Sequence, residues 1–475
     1  MRLFVIAALI ALPPAAAAQA KPLAAADSAL ITRILLAEDR RDSADAALTE
    51  GARHRDARVR SLAQRAHARI TDAHFAARNS FPLLAAPRVW SEPSWGRRYR
   101  ALTPRTDCAL LDAALADSAW AVRLRAADLL TVPCGARGSV IGTLESWTDA
   151  LPADASRRPV GGVSWHAAAH AVVALARMHR AETPERVARL AIHHQWQVRM
   201  YAAHAVALLG DTTRLRILAR DANDNVKATA IELLARLTGH ADDTIFLAAL
   251  AADGAQAVRA AALALHGSPR ADARSAANAA FERWVARDNA PASDARVALL
   301  EAAGRPASDD RPPVTRANVP ADAVALALGA ERMLRVTMAQ SSGGGSFVVR
   351  LRGDVAPIMC ARILILVRAH YYDGLTWHRV EPDFVIQGGS PGASEYVGFP
   401  QFFRDELGTV PHVRATVGMS TRGHDTGDAQ WFINLRDNLR LGSDYTVFGE
   451  VMDGIEVVDR ILEGDSIAMI TELHS

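Results

Sequence analysis

The run from Tyr371 to Gly389 sets one arginine, Arg379, ahead of Phe384 and Gln387 in a segment that is otherwise mostly apolar and ends in two glycines. A guanidinium held beside an apolar wall can donate hydrogen bonds to a group whose electron density changes during a reaction. That is electrostatic catalysis without covalent chemistry. Farther along, Gly427-Asp428-Ala429-Gln430-Trp431-Phe432-Ile433-Asn434 and Tyr445-Thr446-Val447-Phe448-Gly449 add a second glutamine and more aromatic rings. Competing chemistries are weaker. His166 and His170 stand one helical turn apart, a spacing that can chelate zinc, but Ala167 stands where a metalloprotease helix needs its glutamate and no third ligand is evident. Packing or solvent-facing histidines are expected there and at His193-His194. The sequence carries no phosphate-binding loop and no Ser/His/Asp arrangement, and neither a metal nor a cofactor is expected.

In order and spacing the three segments resemble the cyclophilins, over about Arg335 to about Leu473. The resemblance implies a closed antiparallel β-barrel capped by two helices, with peptidyl-prolyl cis-trans isomerase activity. It also implies roles residue by residue. Arg379 is the catalytic arginine, and Gln387 orients it and the substrate. Phe384 and Phe432 wall the proline pocket, Leu441 completes it, and Val385 occupies a position often held by methionine. Gln430 lies along the peptide groove, and Ser420-Thr421 pairs with the substrate through its backbone. Tyr445 stands where many eukaryotic members have histidine, and its hydroxyl can still hydrogen-bond. There are departures. Arg440 replaces a tryptophan associated with tight cyclosporin binding, which implies weak inhibition by that drug. Asp428-Ala429 replaces a Gly-Ser pair, Ser390 a common aspartate, and Ala361-Arg362-Ile363 a segment that often holds Asn-Phe. None removes a residue that the mechanism requires.

These side chains need a scaffold, and the sequence supplies a first hairpin: Leu334 to Met338, a Ser341-to-Gly345 turn, and Phe347 to Leu351. Cys360 is expected to be a buried free thiol in a barrel-capping helix. From about Ala24 to Gly304 the text is different, rich in alanine, leucine and arginine. A turn with Asp or Asn is followed by Val-Arg or Val-Lys and an alanine-rich amphipathic stretch, starting at Val59, Val122, Val198, Val226 and Val258. Val198, Ala202, Ala205, Val206 and Leu209 make one apolar stripe on a helix, as do Val226, Ala230, Leu233, Leu234 and Leu237. Each unit resembles the second helix of a HEAT-type repeat, at spacings of about 28 and about 32 residues, and an all-α stacked solenoid is expected. Asp56, Asp117, Asp224 and Asp253 are placed to cap these helices, and Gly210, Gly239 and Gly267 to end them. Segments Phe81 to Trp95 and Pro133 to Gly162 interrupt the pattern as insertions, where Trp90, Trp95, Trp147 and Trp165 are expected to staple loops onto helices.

The expected organisation is therefore a signal peptide over 1–20, a HEAT-like helical domain over 21–305, a linker over 306–332 and a cyclophilin-like domain over 333–475. A chain of 475 residues is long enough for two or three cores. A formal net charge of +2 gives no electrostatic footprint for nucleic acid or an anionic membrane. Residues 1 to 20 read as a secretory leader: Met1-Arg2, an apolar stretch shorter than the roughly 20 residues of a spanning helix, and Ala18-Gln19-Ala20 before Lys21. An exported, soluble protein is expected, and without a cysteine near the cleavage site the periplasm suits it best. Cys108 and Cys134 could pair in such a compartment. The expected partners are proline-containing polypeptides, with the helical domain binding clients or a partner protein. The competing reading is a non-catalytic scaffold or holdase whose barrel binds proline-containing segments.

Overall fold

The computed structural model describes residues 25–72, 87–151, 165–178, 183–287, 289–311, 319–408, 410–442 and 444–473. The expected leader lies outside them, as do parts of both insertions. Up to residue 311 the described regular structure is entirely helical. Three helices come first: α1 (Ala25–Asp39), α2 (Ala46–Ala52) and α3 (Ala57–Thr71). Then α4 (Ser94–Ala101), α5 (Cys108–Ala114), α6 (Trp120–Leu129) and α7 (Gly138–Asp149) pack around Leu111, Val122, Leu144 and Trp147. Within this cluster a disulfide joins Cys108 to Cys134. The array continues with α8 (Trp165–Arg177), α9 (Thr183–Leu190), α10 (Trp196–Leu208), α11 (Thr212–Leu218), α12 (Asp224–Thr238), α13 (Asp243–Ala249), α14 (Ala255–Leu265), α15 (Ala273–Val285) and α16 (Ser293–Ala303). Helices α8, α10, α12, α14 and α16 lie side by side, each packed on the next.

The apolar stripes explain that stacking. Val198, Ala202, Ala205, Val206, Val226, Ala230, Leu233 and Leu234 are all buried in one core, while Leu209 is half-buried and Leu237, in the last turn of α12, is exposed. Gly210, Gly239 and Gly267 have positive φ, as a helix end requires. Asp56 caps α3 as expected, accepting from the Arg58 amide at 2.8 Å. Asp117 accepts from the Ala119 amide ahead of α6. The next caps are displaced by one element. Asn223 caps α12, which frees Asp224 to reach across and accept from the Gln256 and Ala257 amides of α14. A Cβ at Gly254 would come within 2.0 Å of the Asp224 carboxyl, so glycine there makes room for a cap supplied by the neighbouring unit. Asp253, whose side chain is 96% exposed, caps nothing and pairs with Arg287.

The remaining chain adds α17 (Ala321–Ala327), β1 (Met333–Met338), β2 (Ser346–Leu351), α18 (Pro357–Arg368), β3 (Arg379–Val380), β4 (Val385–Gly388), β5 (Thr416–Met419), β6 (Trp431–Asn434), β7 (Val447–Asp453), α19 (Ile455–Val458) and β8 (Ile467–Leu473). The strands form one antiparallel sheet in the order β3-β4-β6-β5-β7-β2-β1-β8. Thr376 bridges Ser390 on one side and Ser466 on the other, so the sheet curls until its ends meet. β1 and β2 form the expected first hairpin, and Cys360 is a buried free thiol in α18. Inside lie Val336, Phe347, Trp377, Ile386, Val417, Ile433 and Phe448.

The barrel's core does not stop at the barrel. Ile31, Ile34, Leu35, Leu48, Val59 and Leu62 of α1–α3 belong to the same continuous cluster, as do Ala323, Leu326 and Ala327 of α17, within the stretch read as linker. Beside it runs a buried ion network. Arg404 donates to Asp39 and Glu38, and Arg69 donates to Glu38 and to the carbonyls of Val355 and Glu406. Burial alone would raise the Glu38 pKa, but Arg404, Arg69 and Arg65 together hold it well below the usual carboxylate range. The helical array meets the barrel through a second, more polar seam. His166 contacts the Glu463 carbonyl at 2.6 Å, and Tyr201 donates to the Glu463 carboxylate at 2.9 Å. Arg422 pairs with Asp294 at 2.6 Å, and the Ala290 amide donates to the Pro400 carbonyl. His166 is thus a packing residue stacked on Trp165, and His170 pairs with Asp128. The tryptophans differ from the loop staples expected: Trp90 lies in a loop but donates to the Val451 carbonyl of the barrel, Trp95 packs on Tyr99 of its own helix α4, Trp147 of α7 packs on Trp120 of α6, and Trp165 lies in α8.

Candidate active site

Strand register assembles the site. Arg379 stands opposite Gln387, Gln387 opposite Phe432, and Phe432 opposite Gly418. Residues directly opposite in antiparallel strands share a face, so one row across β3, β4, β6 and β5 carries guanidinium, carboxamide, phenyl ring and no side chain. The last member is the reason the third can lie flat. A Cβ at Gly418 would sit 2.4 Å from the Phe432 ring, so any larger residue there would push the ring out of place.

Around this row is a cavity of about 280 Å³ lined by Arg379, Phe384, Val385, Gln387, Ser420, Thr421, Phe432, Leu441 and Tyr445, with Asp294, Glu395, Tyr396 and Arg422 completing its rim. Nine of the ten side chains expected from the sequence therefore meet in one hollow. Val385, Phe432 and Leu441 form an apolar cluster of their own, with Phe384 and Tyr445 packed on it, separate from the barrel's main core. The tenth, Gln430, stands behind the wall. Its side-chain carbonyl accepts from Gln387 at 3.2 Å, and its amide donates to the carbonyls of Glu395 and Val397, both at 3.1 Å. It fixes Gln387 and a rim loop.

Arg379 is held and not fully quenched. Its Nη1 donates to Gln387 Oε1 at 3.3 Å, Nε donates to Glu381 at 2.8 Å, and Glu395 lies 3.1 Å from Nη1. The side chain keeps 37% of its exposure, and its guanidinium carbon lies 6.0 Å from the centre of the Phe384 ring. Arg440, in the position expected to weaken drug binding, covers the same ring at 5.0 Å. The Asp428 departure is accommodated by burial. Asp428 accepts from the amides of Ala429 and Gln430, with Arg422 at 3.5 Å, while burial raises its pKa. Ser390 ties its loop, accepting from the amides of Gly392 and Ser394.

Several contributors were not legible in the sequence. His412 is completely buried and stacks on Phe432 at 5.8 Å. Its Nε2 donates to the Tyr445 carbonyl and its Nδ1 accepts from Asn434, so one neutral imidazole braces two pocket walls. Burial drives its pKa down to about 4. Asp294 comes from α16 of the helical array, ahead of every barrel strand in the chain, and no local pattern marks it. Among the described residues, no cluster of three or more His, Cys, Asp or Glu could hold a metal ion, and no helix is long and apolar enough to cross a membrane.

The barrel region is similar in sequence to known proteins. Residues 335–471 match the family described as cyclophilin type peptidyl-prolyl cis-trans isomerase/CLD. A relative from Rhizopus delemar, named peptidyl-prolyl cis-trans isomerase-like 1, is 36% identical over 122 residues, which cover 25% of this chain and 74% of the relative. The peptidyl-prolyl cis-trans isomerase of Helicobacter pylori is 32% identical over 130 residues, covering 26% of this chain and 80% of that protein. A crystal structure of a Cryptosporidium parvum cyclophilin type peptidyl-prolyl cis-trans isomerase aligns at 22% identity and a TM-score of 0.28, over 30% of this chain and 99% of its own.

Proposed function

Through residues 335–471 the chain belongs to the cyclophilin-type peptidyl-prolyl cis-trans isomerases, and from that premise we propose that it turns over X-Pro bonds in exported polypeptides, its helical region engaging the same clients and the whole assisting their folding. The observation that carries the reading is the row Arg379–Gln387–Phe432 over one apolar hollow.

Rotating an X-Pro bond meets a barrier of roughly 20 kcal/mol, because the twisted amide loses its conjugation. In the twisted state the proline nitrogen becomes pyramidal and regains its lone pair. Phe384, Phe432, Leu441 and Val385 seat the ring, and the Arg379 guanidinium, positioned by Gln387, donates hydrogen bonds that strengthen only as conjugation is lost. Moving from tens of seconds to milliseconds needs only about 5 to 6 kcal/mol of such differential stabilisation. No covalent intermediate is required, which suits a site whose carboxylates, Asp294 and Glu395, sit at its rim. Export is supported by the leader-like residues 1 to 20 and by the Cys108–Cys134 disulfide, which suits the periplasm.

The test is turnover of a tetrapeptide with a central X-Pro bond by the full mature chain. Arg379→Ala is expected to lower kcat/KM on the order of a hundredfold. Unchanged turnover in that variant would remove the chemistry proposed, and absence of turnover in the parent would favour a scaffold or holdase that binds proline segments without isomerising them.

A further inference from the structure

The proline cavity has a neighbour. Arg379, Glu395 and Tyr396, which form one wall of it, also line a second cavity of about 420 Å³. The opposite wall of that second cavity is not barrel. It is the helical array, with Trp196 and Met200 of α10 and Thr229 of α12 facing the loop that carries Glu395 and Tyr396.

That loop is clamped from both sides. Gln430 holds the carbonyls of Glu395 and Val397 from the barrel. From the array, Asn225 donates to the Gly392 carbonyl at 3.0 Å, and the Arg259 guanidinium lies 4.0 Å from the centre of the Tyr396 ring. The two hollows therefore flank one fixed wall. An extended polypeptide advances about 3.3 Å per residue, so a chain with its proline in the first hollow reaches the second within a few residues.

We propose that the cleft between array and barrel is the continuation of the substrate groove: residues on one side of the X-Pro bond run through it, with a large apolar side chain seated on Trp196 and Met200. This rests on the isomerase reading above and adds a second wall to the same site. Trp196 and Met200 are one turn apart on α10 and share a face, and both are only partly buried against the array's core. A broad ring beside a pliable thioether accepts apolar side chains of differing shape, as a protein with many clients requires. The helical region thereby acts as the far bank of the catalytic groove, and clients longer than the proline pocket are selected there.

The experiment uses the full chain, its Trp196→Ala variant and a Thr229→Arg variant that fills the cavity while removing nothing from a core. Substrates are a tetrapeptide centred on X-Pro and longer peptides in which one leucine is moved stepwise away from the proline on either side. In the parent, one leucine position is expected to lower KM about tenfold relative to the other positions. Both variants are expected to erase that advantage with tetrapeptide kcat/KM unchanged, and Thr229→Arg, which removes no core packing, to do so at an unchanged melting temperature. Equal losses on tetrapeptide and long peptide, or KM values indifferent to leucine position and to both variants, would overturn the cleft's role. Those outcomes are distinct from failure of the isomerase reading itself, which is registered by tetrapeptide turnover that ignores Arg379→Ala.

Discussion

Helices α1–α3 and the array from α8 to α16 both touch the barrel, and they do so by different physics. α1–α3 enter its hydrophobic core: Ile31, Ile34 and Leu35 belong to one continuous cluster with Val336, Phe347 and Ile433, and Glu38 and Asp39 meet Arg404 out of water. The array from α8 to α16 keeps a core of its own and meets the barrel mainly through hydrogen bonds and ion pairs, with Val397 as an apolar contact. The first region is structurally part of the barrel although the sequence places it at the far end of the chain. The second is a neighbour that lines the groove. Shared apolar cores and buried charge networks bind elements into one unit, whereas a polar seam between separate cores joins units that remain distinct.

Variants can break this contrast. The largest effect is expected for Arg404→Ala, which strands Asp39 in the interior, leaves Glu38 paired with Arg69 alone and should cost about 3–5 kcal/mol, with helices and barrel unfolding together in urea. A loss below about 1 kcal/mol would mean the network is not what unites them. Ile34→Ala, at a fully buried position of α1, is expected to cost about 2–4 kcal/mol and to lower the denaturant concentration at which tetrapeptide turnover disappears. If turnover outlasts the loss of helical signal, the barrel stands alone and the contrast fails.

Acidity sharpens the comparison next. His412 titrates near 4 in the folded protein and near its ordinary value of about 6.5 once unfolded, so between those values the unfolded chain binds the extra proton. Its contribution is fully present above about pH 6.5 and is lost as pH falls toward 4, to a total of about 3 kcal/mol. Stability measured at pH 7 and pH 4.5 should fall less in His412→Asn than in the parent, and equal falls would remove the assignment. The smallest effect belongs to the array. Asp224→Ala removes the cap of α14 and should cost about 1 kcal/mol while leaving tetrapeptide turnover intact.

The catalytic row was legible because each member lies within a short contiguous strand, where residue type and order survive as a pattern in one dimension: Arg379 to Gln387, then Gln430 to Phe432. The helical stripes were legible for the same reason, since a period of 3.6 residues is a local property. The caps were only half legible. Asp56 serves its own helix, but Asp224 serves the next one, a choice made by the packing of α12 on α14 and by the missing side chain at Gly254. Nor did any local signal point to His412, whose role depends on burial beneath Phe432 and Tyr445.

By itself, then, the sequence determined the chemistry and its immediate frame: an arginine, two glutamines and a set of aromatics on antiparallel strands, preceded by stacked amphipathic helices. Tertiary structure alone decided which helices belong to the barrel, that Asp294 and Trp196 face its groove, and which carboxylates remain charged in the interior. The physical reason is range. Strand alternation and helical period act between near neighbours in the chain, whereas burial and ion pairing are settled among groups hundreds of residues apart, by whatever the folded surface brings against them.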